Sequence, residues 1–111
     1  MAATDNILNY FYDRMASLSI GITHIEGWIR DYENKREHYP DWVTREGVSI
    51  KLQDISDSHL ENLIPFMKKK DPTNGWLQAF EYEKRYRKLV KKLNLMKLEY
   101  KEMGHVRDLC L

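Results

Sequence analysis

Apolar residues in this chain fall into two long runs of helical spacing, separated by a stretch in which the period changes twice. In the first run, Leu8, Phe11, Met15, Leu18, Ile22, Ile25 and Ile29 follow one another at alternating steps of three and four residues. That spacing gathers their side chains on one stripe of a helix, at the 3.5-residue period of a coiled-coil seam. Ile7, Tyr12 and Trp28 widen the stripe and point to more than one packing partner. Thr4 or Asp5 is placed to cap the start, and Pro40 follows the polar segment "RDYENKREHY", so the predicted helix covers about residues 5–37. Gly21 and Gly27 interrupt it, each weakening a helix by about 1 kcal/mol relative to alanine. Close helix packing and a local distortion are both consistent with them.

The second run is Tyr82, Tyr86, Leu89, Leu93, Met96, Tyr100 and Met103, again at steps of four and three. Trp76, Leu77 and Phe80 extend it toward the N-terminus, and Gly104 stands where a helix would stop, giving a second long helix over about 75–103. Two seams of matching length predict that the helices pack side by side, within one chain or between chains. Between them lies "WVTREGVSIKLQDISDSHLENLI". Gly47 can take the positive φ of a tight hairpin, and Val48, Ile50 and Leu52 alternate with Ser49, Lys51 and Gln53 as in a half-buried strand. The period then returns to that of a helix over about 56–69, with Ser56 as cap and Leu60, Leu63, Ile64 and Met67 on one face. Pro65 should end or kink this helix, because it brings no N–H to the ladder. The expected fold is α+β, mostly α: one domain over 1–111, with two long helices packed together and a hairpin at about 41–54 and a short helix between them.

Composition narrows the functional classes. With 111 residues, 42% hydrophobic and 32% charged, the chain has the profile of a soluble globular domain with a single core. The only cysteine, Cys110, cannot form an internal disulfide, and no secretory leader or membrane-length apolar run is present. The expectation is an intracellular protein with no membrane partner. The net charge of +1 hides an asymmetry: residues 1–66 carry 6 Lys/Arg against 11 Asp/Glu, and residues 67–111 carry 12 against 6. Halves of opposite sign can attract each other within a chain or between copies.

Motifs for catalysis are missing. His24, His38, His59 and His105 are scattered singly, with no metal-ligand pair, phosphate-binding glycine loop, nucleophile elbow or zinc-protease motif. Ser56, Asp57 and His59 could be drawn as a triad, but their closeness in sequence fits helix capping better. No enzyme activity, metal or cofactor is expected. Binding chemistry is better represented. "EYEKRYRKLVKK" interleaves Lys84, Arg85, Arg87, Lys88, Lys91 and Lys92 with Tyr82 and Tyr86, and "MKKKDPTNGW" adds Lys68, Lys69, Lys70 and Trp76. Cations bind phosphate oxygens and aromatic faces stack on bases; equally, this is a solvated face beside core tyrosines. A near-neutral chain without a DNA-reading motif makes nucleic acid an improbable partner. His59 and Asn62, three residues apart, share a helix face. They can hold a phosphate or a base edge, or bond back to the hairpin and fix its register.

The central stretch resembles a set of small tailed-phage proteins sharing W-x-T-x-x-G-x-x-I-x-[IL]-x-D-[IM]-[ST]-D-x-H-L-x-N-x-I. The matching positions are Trp42, Thr44, Gly47, Ile50, Leu52, Asp54, Ile55, Ser56, Asp57, His59, Leu60, Asn62 and Ile64, roughly a fifth of the chain. Some proteins of this kind look like oligomeric sponges that sequester the cyclic nucleotide signals of CBASS anti-phage defence. The resemblance implies a homo-oligomeric binder, dimer or tetramer, acting in the cytoplasm of an infected bacterium. It would hold a cyclic di- or oligonucleotide between subunits without cleaving it. The ligand-binding candidates are then Trp42, Thr44, His59 and Asn62 from the motif, with Arg85, Arg87 and Lys88 added on chemical grounds. Two alternatives stand beside it: a small phage protein that inhibits a host protein through its helical surfaces, and a nucleic-acid-binding accessory factor.

Overall fold

The structure, a computed structural model, describes residues 3–110, with side chains described from residue 6 to 109. The order of elements is α1 (Ala3–Glu37), β1 (Trp42–Val43), β2 (Ser49–Ile50), a 3-10 turn (Leu52–Asp54), α2 (Asp57–Lys70) and α3 (Gly75–Cys110). Two long helices, a two-stranded antiparallel hairpin and a short helix are thus present as the apolar spacing predicts. The cap expected of Thr4 or Asp5, and the side chain of Cys110, lie outside the described side chains. The chain divides into two compact units. One joins α1 up to Trp28 with α3 from Leu89 onward; the other spans Ile29–Lys88.

The first unit is a helix pair. Met15, Leu18 and Ile25 of α1 are buried there with Leu93 of α3, while Leu8, Phe11, Ile22, Met96 and Met103 are half-buried. Tyr100, expected on the seam, is exposed at the margin. Ion pairs flank the stripe: both guanidinium arms of Arg14 reach Glu99 (3.0 and 3.1 Å), and Lys97 lies 3.8 Å from Glu26. Gly21 proves to be a place of close approach, since a Cβ there would sit 2.7 Å from Met96 Cε. Gly104 does not stop α3, contrary to expectation. The residues after it, "HVRDL", contain neither proline nor a second glycine, so the helix continues while Gly104 lies against Met15. At Gly27 a Cβ would meet no atom within 4 Å. Gly27→Ala should therefore raise stability by about 0.5–1 kcal/mol through helix propensity alone, read as a higher urea midpoint. A lowered midpoint would mean that a neighbour occupies that space.

The second unit holds the larger core. Leu52, Ile55, Leu60, Ile64, Met67, Leu77, Ala79 and Phe80 form one buried cluster, with Tyr39, Trp42, Ile50, Leu63 and Trp76 packed around it. Phe80 and Leu60 are its most deeply buried large side chains. Gly47 takes φ 81° and turns the hairpin, in which Trp42 pairs with Ile50 and Val43 with Ser49. The second strand is shorter than its alternation implied. Ile50 and Leu52 do point inward, but Val48 is exposed and Leu52 already belongs to the 3-10 turn. Ser56 caps α2 as expected, its Oγ accepting the His59 N–H at 3.2 Å. Pro65 does not end α2, which runs on to Lys70. Pro65 and Glu61, whose carbonyl loses its helical partner, are both exposed, so water can take the place of the missing N–H. In the loop to α3, Asp71 gathers Thr73 and Asn74, and the Asn74 side-chain oxygen accepts the Trp76 N–H at 2.8 Å. This fixes where α3 begins.

Candidate functional site

The seam of α1 does not stop at Ile29. Its steps of three and four continue through Tyr32, Arg36 and Tyr39, so an arginine takes an apolar slot at the end of the helix. Arg36 meets Glu83 of α3 in a two-armed contact, Nε to Oε2 and Nη2 to Oε1, both 3.0 Å. Glu83 is 3% exposed, the one buried charged residue among those described. Its Oε1 also accepts Arg87 Nε at 3.0 Å. Arg87 in turn donates to the carbonyl of Ile55 at 2.6 Å and to Asp57 Oδ1 at 2.7 Å, with the carbonyls of Leu52 and Gln53 at 3.4 and 3.5 Å. The guanidinium of Arg36 lies 3.9 Å from the centre of the Tyr86 ring, and Tyr86 donates to Glu33 at 3.1 Å. Burial is the main reason the Tyr86 phenol titrates above its usual value, partly offset by Arg36. A buried carboxylate between two arginines therefore ties α1, the 3-10 turn and the start of α2 to α3.

This brace settles where several candidate residues sit. Arg87 is spent on protein groups and keeps little surface. Arg85, two positions earlier and hence about 200° around the helix, points elsewhere and donates to Tyr32 Oη at 3.4 Å. The structure thus separates these two cations instead of bringing them to one pocket. Trp42 is half-buried, edge-on to Trp76 and Phe80 with centroids 5.2 Å away in each case. Thr44 closes the hairpin: its N–H donates to the Val48 carbonyl at 2.9 Å, and its hydroxyl accepts the Val48 N–H at 3.2 Å. His59, Asn62 and Lys88 are exposed. The His59 ring and the Asn62 amide make no hydrogen bond to the described part of the protein, and neither reaches back to the hairpin. The motif therefore divides: Trp42, Thr44, Gly47 and Ser56 build the fold, while His59 and Asn62 stand outside it on the first turns of α2.

A second group of polar residues lies between the end of α1 and the start of α3. Asn34, Lys35, His38 and Tyr39 face Gln78 and Tyr82 around a cleft of about 510 Å³. Lys35 Nζ stands 4.8 Å over the Tyr82 ring, Gln78 Nε2 donates to Tyr82 Oη at 3.2 Å, and His38 Nδ1 lies 2.7 Å from the Asn34 carbonyl. Burial, with Tyr82 nearby, moves the Tyr39 phenol above its usual value. Tyr82 is flagged by sequence as either core or stacking surface, and here it borders a cleft. Lys35, Tyr39 and Gln78 carry no sequence signal of their own beyond helical spacing from Tyr32 and Tyr82, and His38 is one of four scattered histidines.

Among the described residues no cluster of three or more His, Cys, Asp or Glu is placed to hold a metal ion, and no helix is long and apolar enough to cross a membrane. No protein-family model, curated protein or solved structure matches the chain.

Proposed function

We propose that the protein is a phage-encoded, homo-oligomeric binder that sequesters a cyclic di- or oligonucleotide immune signal in the cytoplasm of an infected bacterium, without cleaving it. The observation that carries this reading is the pair His59 and Asn62. Both are exposed on one face of α2, and neither side chain makes a hydrogen bond within the described fold, whereas Trp42, Thr44, Gly47 and Ser56 of the motif build it. An imidazole and a carboxamide offer donors and acceptors suited to a base edge or a phosphate oxygen. Lys88 and Arg85 supply exposed positive charge on α3. Support for self-association comes from the helix pair. Leu95, Leu98, Val106 and Leu109 are 40–74% exposed, and their spacing places them within about 80° of arc on α3, on the side away from the buried Leu93.

The His59→Ala/Asn62→Ala double variant tests the reading. Calorimetric titration with cyclic dinucleotides should show at least about a tenfold weaker affinity than the unaltered chain, the size expected for two lost polar contacts. Both side chains are exposed in a helix, so the unfolding midpoint should not fall. Equal affinity in the double variant would move the site away from α2. The exposed apolar side chains of α1 and α3 favour one other reading, a protein that binds and inhibits a host protein through its helical surfaces. Failure to bind any cyclic nucleotide, combined with a monomer in solution, would leave that reading in place.

A further inference from the structure

We infer that the cleft between the end of α1 and the start of α3 is a nucleobase subsite, in which a planar heteroaromatic base lies on Tyr82 while Lys35 takes the adjoining phosphate. The inference deepens the nucleotide-binding reading and rests on it, but it assigns the base to residues that the sequence motif does not contain. Its starting point is the chemistry of the lining. A volume of about 510 Å³ falls in the range of small-molecule sites. The lining joins two phenol rings, two carboxamides, an ammonium and an imidazole, Asn34, Lys35, His38, Tyr39, Gln78 and Tyr82.

The Tyr82 ring already attracts a cation, with the Lys35 ammonium 4.8 Å from its centroid. Lys35 is exposed, so it can leave the ring at little cost when a better anion arrives. An incoming nucleotide satisfies both partners: its base occupies the ring face and its phosphate takes the ammonium. Gln78 and Asn34 each carry a donor and an acceptor, the complement that the edge of a purine or pyrimidine requires. The Gln78 amide is held in place by its bond to Tyr82 Oη at 3.2 Å. His38 Nδ1, at 2.7 Å from the Asn34 carbonyl, carries the proton in that contact and turns Nε2 outward. Tyr39, neutral at physiological pH as any phenol is, adds a phenolic donor. An aliphatic anion would gain nothing from the two rings, and an uncharged aromatic would leave Lys35 unused. The combination therefore selects a ligand that is both planar and anionic.

Three full-length proteins decide the matter: the unaltered chain, Lys35→Ala/Gln78→Ala, and His59→Ala/Asn62→Ala. Each is titrated by calorimetry with cyclic di-adenosine and cyclic di-guanosine monophosphate, and with pyrophosphate as a probe that has charge but no base. The cleft double variant changes exposed side chains only, so its unfolding midpoint serves as the check on folding. The expected result is a loss of roughly tenfold in affinity for a cyclic dinucleotide in the cleft variant, with pyrophosphate binding far more weakly to the unaltered chain. Affinity within twofold of the unaltered chain in the cleft variant, alongside a loss in the α2 variant, would overturn the cleft and leave the nucleotide-binding reading standing. Pyrophosphate binding as tightly as the dinucleotides would overturn the stacking role of Tyr82. No binding of any dinucleotide to the unaltered chain would overturn both readings together.

Discussion

A Glu83→Ala chain should lose about 3 kcal/mol of folding stability, a large part of the 5–15 kcal/mol typical of a domain this size. The size of the effect follows from what the substitution leaves behind. Glu83 is 3% exposed and accepts three hydrogen bonds from Arg36 and Arg87, each 3.0 Å long. Removing the carboxylate takes the counter-charge from the largely buried Arg36 guanidinium and leaves Arg87 with Asp57 alone. That is costlier than never having had the network, because desolvation is still incurred while the attraction is gone. Each arginine side chain retains 19% of its exposure and can recover some solvation, which puts the loss at the low end of the usual range for a broken buried pair. Arg87 would also lose the anchor that aims it at the Ile55 carbonyl and Asp57, so the first turn of α2 should loosen. Urea denaturation of the purified variant measures this. A loss below about 1 kcal/mol would show that Glu83 is hydrated in solution.

The second large effect concerns assembly. The unaltered chain should be an oligomer at micromolar concentration, and the Leu95→Glu/Leu98→Glu variant should be a monomer by light scattering. In the helix pair each helix buries one stripe, yet Leu95 is 68% and Leu98 52% exposed. Val106 and Leu109 extend the same face of α3. Aliphatic side chains in such a row gain about 25 cal/mol per Å² of apolar surface when a second copy covers them, and two carboxylates in its first half reverse that gain. Because Leu95 and Leu98 contribute little to the buried stripe, the variant should keep its helix content by circular dichroism. An unaltered chain that is already monomeric would remove the self-association claim; a variant that stays oligomeric would place the interface on another face.

Much of the fold is legible in the spacing of apolar residues, because burial of a helix stripe is what the spacing encodes. The seven positions from Leu8 to Ile29 are all buried or half-buried, and the Ser56 cap and the Gly47 turn follow from local chemistry. What escaped reading is the place where a charge substitutes for an apolar residue. Arg36 keeps the register of the α1 seam, at seven residues from Ile29, and Glu83 and Arg87 stand four apart on α3. Both spacings are visible in the sequence, but a run as basic as "EKRYRK" reads as a solvated or ligand-facing surface, and its single buried glutamate is hidden among the cations. Gly104 and Pro65 fail as terminators for a common reason. A helix-breaking residue imposes a local cost, about 1 kcal/mol for glycine and about 3 kcal/mol for proline, and continued helix on both sides outweighs it where the freed carbonyl meets water or the missing side chain admits a neighbour. The candidate site was only partly legible. Sequence patterns cannot separate motif residues that build a hairpin, such as Trp42 and Thr44, from those left over, since that division depends on which partners the fold supplies. The cleft around Tyr82 combines residues of the segment 34–39 with Gln78 and Tyr82, and no local pattern joins the two sets.

The most direct test of the central claim is recovery of the ligand. The purified protein is incubated with a panel of cyclic di- and trinucleotides, separated from unbound material, denatured by heat, and the released molecule identified by mass spectrometry. Sequestration without cleavage predicts that one member of the panel is retained and returns with its mass and cyclic form unchanged. Recovery of a linear or otherwise hydrolysed product would make the protein an enzyme, and retention of none of the panel would contradict the account.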